Sequence, residues 1–178
     1  LAQGAAQNRT VGALGLAFDP GRNYLFVSNY IRHRVTVFDV ASITDGENAV
    51  YVLGQANFTA GNQATTASGM YNPAGLDYDV ATQKLFVADR YNHRVTVFDM
   101  ASITNGENAV NVLGQPDFTT NTVATPPTAA SLDYPWTVKV NGNRLFVADE
   151  TNQRVLVFDV ASITDGESAV NVLGQTTF

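Results

Sequence analysis

The side chains of this chain that could do chemistry recur at one interval. His33 and His93 stand 60 residues apart in a repeated string, and Gln153 takes their place in the third copy. A metal site built from histidines needs a further ligand of the same kind, so two copies followed by a glutamine predict structural or surface histidines. Asp89 with Arg94, and Asp149 with Arg154, share one short spacing, which predicts an ion pair or backbone cap across a turn, of modest worth where water reaches it. Acid–base work by two carboxyls needs them in unlike environments, whereas Asp39, Asp99 and Asp159 share one sequence context. Asp45, Asn105 and Asp165, each followed by Gly-Glu, resemble a piece of a calcium loop that lacks the alternating acidic ligands. No phosphate-cradling glycine loop, dinucleotide fingerprint or G-x-S-x-G elbow occurs. The expectation is no catalytic residue, no metal and no cofactor.

Composition narrows the partners. The chain has 178 residues, 45% of them hydrophobic, a formal charge of -6 and a pI near 4.6. Only Lys84 and Lys139 join eight scattered arginines, so no basic face is available for phosphates and nucleic acid is not expected as a partner. The apolar runs are too short to cross a bilayer, and membrane insertion is not expected either. There is no cysteine, which removes a disulfide frame and a thiolate metal site without fixing the compartment. Abundant Thr, Asn and Gly with few lysines suit an extracellular or cell-surface setting. The sequons at Asn8 and Asn57 are too short to add weight. The opening at Leu1, without Met or charged leader, reads as a mature or partial piece of a longer protein.

The elements that must position these residues are written in the repeats. "RVTVFDVASITDGENAVYVLGQ" from Arg34 returns from Arg94 and Arg154, and between 35–55 and 95–115 only positions 40/100, 45/105 and 51/111 differ. Each copy holds four strand-like runs: "LGLAFD", "YLFVSN", "RVTVFDV" and "AVYVLG" in the first. These runs are short, β-branched and aromatic, and turn residues bound them. "DPGRN" and "NGN" supply the conformations of tight hairpins. In "ASITDG" the Ser is expected to start one helical turn with the Ile packed beneath it. Phe38 and Val40 fall on one side of their strand and Val35 and Val37 on the other, so both faces need cover.

Four antiparallel strands per unit, apolar on both faces, describe propeller blades. "FVADRYNHRVTVFD" at 86–99 and "FVADETNQRVLVFD" at 146–159 resemble the NHL repeat. The first copy departs from the pattern, with Asn29 in place of Asp89 and Asp149, and Arg32 in place of Asn92 and Asn152; its turn is expected to be held differently. The fold class expected is all-β, a β-propeller sector of three four-stranded antiparallel blades over 1–58, 59–118 and 119–178. The resemblance implies half of a six-bladed ring. Its end faces are then too apolar to stay wet, and the expected partners are another copy of this chain or further blades of a longer one, with ring closure as a dimer or open growth as a filament.

One rim collects the second hairpin turns and the long, Thr-rich connections between blades. Tyr30, Tyr91, Asn92, Tyr134, Trp136 and Asn152 are the candidate binding residues there, beside Tyr71 and Asn29. Rings that cover apolar patches, next to amides that satisfy hydroxyl or backbone groups, suit a protein or a sugar ligand. The function expected is a non-catalytic extracellular scaffold for binding and self-assembly. The alternatives are a lectin-like glycan binder and, from the resemblance, a metal-dependent lyase or hydrolase completed by blades outside this chain.

Overall fold

A computed structural model describes residues 7–178. The strands run β1 (Ala13–Asp19), β2 (Tyr24–Asn29), β3 (Arg34–Asp39) and β4 (Tyr51–Leu53), then β5 (Pro73–Asp79), β6 (Lys84–Asp89), β7 (Arg94–Asp99) and β8 (Asn111–Leu113), then β9 (Pro135–Asn141), β10 (Arg144–Asp149), β11 (Arg154–Asp159) and β12 (Asn171–Leu173). They make three four-stranded antiparallel sheets, each from consecutive strands in meander order. The fold is all-β. Left-handed residues close the first hairpins where the chain reverses: Asn23 at φ 56°, Gln83 at 55° and Gly142 at 56°.

The innermost strands β1, β5 and β9 pass one another closely. A Cβ on Gly15 would stand 2.6 Å from the carbonyl oxygen of Ala74, and one on Gly75 2.6 Å from Cα of Thr137, so glycine is what lets neighbouring sheets converge there. Between the sheets lie two apolar cores. Phe26, Val35, Val37 and Leu53 of the first sheet meet Leu76, Leu85 and Phe98 of the second, with Met70 from the segment before β5. Phe86, Val95, Val97 and Leu113 of the second sheet meet Leu145, Leu156 and Phe158 of the third, with Leu132 from the segment before β9. The second sheet is therefore covered on both faces, which is why its strands are apolar on both.

The "ASITDG" loop differs from expectation. It forms bends and a turn, with no helical turn begun by the serine. Its local bond runs instead from Thr104 N–H to Glu107 Oε2 at 2.8 Å, and likewise at Thr44 and Thr164. Ile103 and Ile163 pack on the core shared with the preceding sheet. The loop is a hook onto that sheet: Asn105 Oδ1 accepts the N–H of Val52 at 2.9 Å, and the N–H of Gly106 donates to Val52 O at 2.9 Å. Asp165 and Gly166 hold Val112 in the same way, at 3.0 Å for both bonds. At Asn105 and Asp165 the resemblance to a calcium loop thus falls on an amide and a carboxylate occupied with backbone.

Candidate binding rim

Each second hairpin ends in a tight turn closed by a left-handed residue. Tyr30–Arg32 and Arg90–Asn92 form single 3-10 turns, capped by His33 and His93, both at φ 52°; Gln153 repeats the conformation at 54°. The imidazoles reach the next sheet. Nδ1 of His33 accepts the backbone N–H of Asn72 at 3.1 Å, and Nδ1 of His93 that of Tyr134 at 3.2 Å. Asn72 and Tyr134 are themselves left-handed and lead into β5 and β9. The histidines are latches between blades.

Burial pushes the His93 imidazole below its ordinary value, against the pull of Asp133, whose Oδ1 lies 3.0 Å from Nδ1. Burial lowers His33 as well, helped by Arg32. A histidine depressed in the folded state keeps its full contribution above the unfolded value, near 6.5, and loses it as the pH falls through the folded one. Protonation of Nδ1 removes the acceptor for the Tyr134 N–H and makes the atom a donor to Asp133 Oδ1, which partly offsets the loss at His93. The urea midpoint should therefore hold steady above about pH 6.5 and decline as the pH falls below it. The double variant His33→Gln, His93→Gln, which restores the acceptor found at Gln153, should flatten that decline in pH-resolved urea melts.

Beneath the turn lies an enclosed network. Asp89 Oδ1 accepts the N–H of Tyr71 at 2.6 Å, while Oδ2 accepts Asn92 Nδ2 and Arg94 Nε, each at 2.8 Å. Arg94 also donates to the carbonyls of Phe118, Thr66 and Gly69, which ties both connecting segments to the blade. Asp149, Asn152 and Arg154 repeat the arrangement, with Asp133 N–H as the backbone donor. The ion pairs expected across the turn are present, and both have fully enclosed side chains, out of reach of water. Burial pushes the Asp89 carboxyl up against the pull of Arg94, Asn92 and the Tyr71 N–H.

This network corrects two of the candidate residues. Asn92 is fully buried, and its amide is spent on Asp89, Ala64 and Thr65. Asn152 is spent on Asp149 through its side chain and on Gln175 through its carbonyl. Both amides face inward because the carboxylate beneath the turn needs donors that water cannot supply. Asn29 is buried too, and donates to Thr36 Oγ1 and Val27 O. The first turn is accordingly held by different bonds from the second while keeping the same 3-10 backbone.

The aromatic candidates do come together. Tyr30 stands edge-on to Tyr91 at 6.3 Å, Tyr91 to Tyr134 at 5.0 Å, and Tyr71 closes on Tyr91 at 5.0 Å. At their centre is Arg90, a residue not anticipated. Its guanidinium carbon lies 5.2 Å from the ring centre of Tyr91, 5.0 Å from Tyr134 and 4.7 Å from Trp136. It donates to Glu150 Oε2 at 2.6 Å and, more weakly, to Tyr30 Oη at 3.4 Å. Burial would lower the Arg90 pKa, but Glu150 and Tyr30 outweigh it and the group stays above its ordinary value. Trp136, on the innermost strand β9, is 44% exposed, and the tyrosines are half-buried. The result is a continuous aromatic surface spanning all three sheets. Tyr30, Arg90 and Glu150 occupy one repeat position, 60 residues apart, and this divergence between copies was the signal that could have found Arg90. Among the described residues, no group of three or more His, Cys, Asp or Glu side chains is placed to hold a metal ion.

A family model described as the NHL repeat matches residues 70–98 and 132–158, which cover β5–β7 and β9–β11. NHL repeat-containing protein 2 of Bos taurus is 30% identical over 100 residues, 53% of this chain and 13% of its own length. Its Homo sapiens counterpart is 30% identical over 93 residues, 51% of this chain and 12% of its own. The chain thus spans only about an eighth of these curated relatives. Among solved structures, the Nidogen/Laminin complex superposes with a TM-score of 0.57 at 20% identity, over 90% of this chain and 46% of that one. Kuenenia stuttgartiensis hydrazine synthase gives 0.61 at 14%, over 100% and 40%. The Myceliophteria thermophila Cps50 (Swd1) β-propeller domain gives 0.54 at 11%, over 86% and 37%. Identities this low speak for the fold alone. The NHL-repeat model thus falls on the second and third sheets, and the three four-stranded sheets have the fold of β-propeller blades.

Proposed function

We propose that this chain is a non-catalytic scaffold that binds another protein through the rim centred on Arg90. One observation carries the reading: the repeats agree where they join blades and diverge where the rim is exposed. The latch, hook and core positions hold the same or similar residues in each copy, whereas Tyr30, Arg90 and Glu150, or Leu14, Ala74 and Trp136, differ at equivalent positions. Divergence concentrated on one continuous surface suits a ligand that is itself asymmetric. Tyr, Trp and Arg held rigid, with little side-chain freedom left to lose, are the residues that carry binding energy at protein interfaces. The Nidogen/Laminin neighbour, a protein complex, supports protein partners at the level of the fold. The lysine-poor, acidic composition supports an extracellular or cell-surface setting.

The test is selection of a displayed peptide library and screening of a glycan array on the immobilised chain, with Trp136→Ala in parallel. Peptides whose affinity falls about 30-fold or more in the variant, as expected of an interface anchor, support the proposal. Ligands that bind the variant unchanged overturn it, and ligands confined to glycans favour the lectin-like alternative.

A further inference from the structure

The two outer faces of the three-blade unit are the two halves of its internal joints. At the first joint, Phe26, Val35, Val37 and Leu53 leave the first blade and meet Leu76, Tyr78, Leu85 and Phe98 entering the second. The third blade presents the leaving set again, as Phe146, Val155, Val157 and Leu173, and the first presents the entering set, as Leu16, Phe18, Leu25 and Phe38. Several of them are open here where their counterparts at the joints are covered. Leu53 and Leu113 are fully buried but Leu173 is 50% exposed; Leu76 and Tyr78 are 5% and 7% exposed, but Leu16 and Phe18 are 63% and 46%.

The polar parts of the joint are duplicated as well. The hooks Asn105–Gly106 and Asp165–Gly166 each grip the strand edge of the preceding blade, and a Cβ on Gly106 or Gly166 would stand 2.9 Å from Cα of Ala56 or Pro116. Asp45–Gly46 is the same hook, with nothing within 4 Å of that point, and among the described residues no hook reaches Val172. The latch has its counterparts too. Gln153 carries the left-handed φ of His33 and His93, and Gly12, at φ 69°, stands where Asn72 and Tyr134 receive them. An acceptor remains on Gln153 because its Oε1 replaces imidazole Nδ1.

We propose that the leaving face of the third blade binds the entering face of the first blade of a second copy of this chain. Asp45 of the second copy then accepts the N–H of Val172, Gln153 accepts the N–H of the second copy's Gly12, and Leu173 is covered by the second copy's Leu16–Phe18 face. The occupant is a second copy because the contact needs the leaving and entering sets together, and this sequence supplies both. The proposal stands apart from the rim reading, since no rim side chain takes part.

Light scattering on the chain across a concentration series tests it, with Ile43→Asp and Leu173→Asp as variants. Ile43 is 77% exposed, so neither substitution enters a covered core of the single chain. The expected mass is at least twice the 19.1 kDa of the chain. Each variant alone should fall to the single-chain mass, and an equal mixture should regain pairs, since Ile43→Asp keeps a sound leaving face and Leu173→Asp a sound entering face. A wild-type chain that stays single at all concentrations overturns the proposal, as does an assembly that neither variant weakens. If a variant fails to fold, Asp45→Ala decides: it should weaken association at least about tenfold, as expected for one charge-assisted hydrogen bond, and unchanged association contradicts the contact.

Discussion

Arg94→Ala should lower the unfolding free energy by about 3–5 kcal/mol, the cost of removing one partner from a buried ion pair. Arg94 is fully enclosed, as is its partner Asp89. Its loss strands the carboxylate with only Asn92 and the Tyr71 N–H as donors, and it releases the carbonyls of Phe118, Thr66 and Gly69. Arg94→Lys should recover little, because one ammonium cannot span the carboxylate and carbonyls that Nε and both Nη atoms reach. The comparison is Lys139→Ala, whose pair with Asp77 has an exposed ammonium and should be worth no more than about 1 kcal/mol. Urea melts of the variants check this; an Arg94→Ala midpoint as high as that of Lys139→Ala would contradict the cost of stranding Asp89.

Phe98→Ala should cost about 3–5 kcal/mol, as for other fully buried aromatic side chains, through lost burial and the cavity left behind. Phe98 lies in the core between the first and second blades, and Phe158 occupies the same position between the second and third, both fully buried. Phe38 holds the equivalent position on the uncovered entering face and is only partly buried. Three identical substitutions therefore sample one site with and without a neighbouring blade. Phe38→Ala should cost at least about 1 kcal/mol less than Phe98→Ala in dilute chains, because less apolar area is removed from contact. If copies pair at higher concentration, that gap should narrow. Equal costs at every concentration would contradict the difference in cover.

The blades were legible because periodicity and turn chemistry are local. β-Branched runs bounded by Gly, Pro and Asn fixed the strand positions, and the 60-residue interval fixed their grouping. The run "AVYVLG" starts as a strand two residues late, at Tyr51, because the N–H of Ala49 is taken by Gln7 O in the segment leading into its own blade. The hook escaped a local reading for a similar reason. Its Ser and Gly suit a helical turn, yet the partner of Asn105 is Val52, 53 residues away in another repeat. No pattern in the sequence shows that two carbonyl-lined pockets await Arg94 and Arg154, because the carbonyls come from distant connecting segments. Asn92 and Asn152 were read as rim amides for want of the same information. The tyrosines and Trp136 meet around a cation whose only sequence signal is the departure from repetition at positions 30, 90 and 150.

The central claim is that one joint, written into each repeat, connects blade to blade. Amide hydrogen exchange at Val52, Val112 and Val172 in a single sample tests it most directly. The account predicts slow, matched exchange at Val52 and Val112, whose N–H groups are held by Asn105 and Asp165, and fast exchange at Val172 in chains dilute enough to stand alone. Exchange at Val52 and Val112 as fast as at the unhooked Val172 would contradict it.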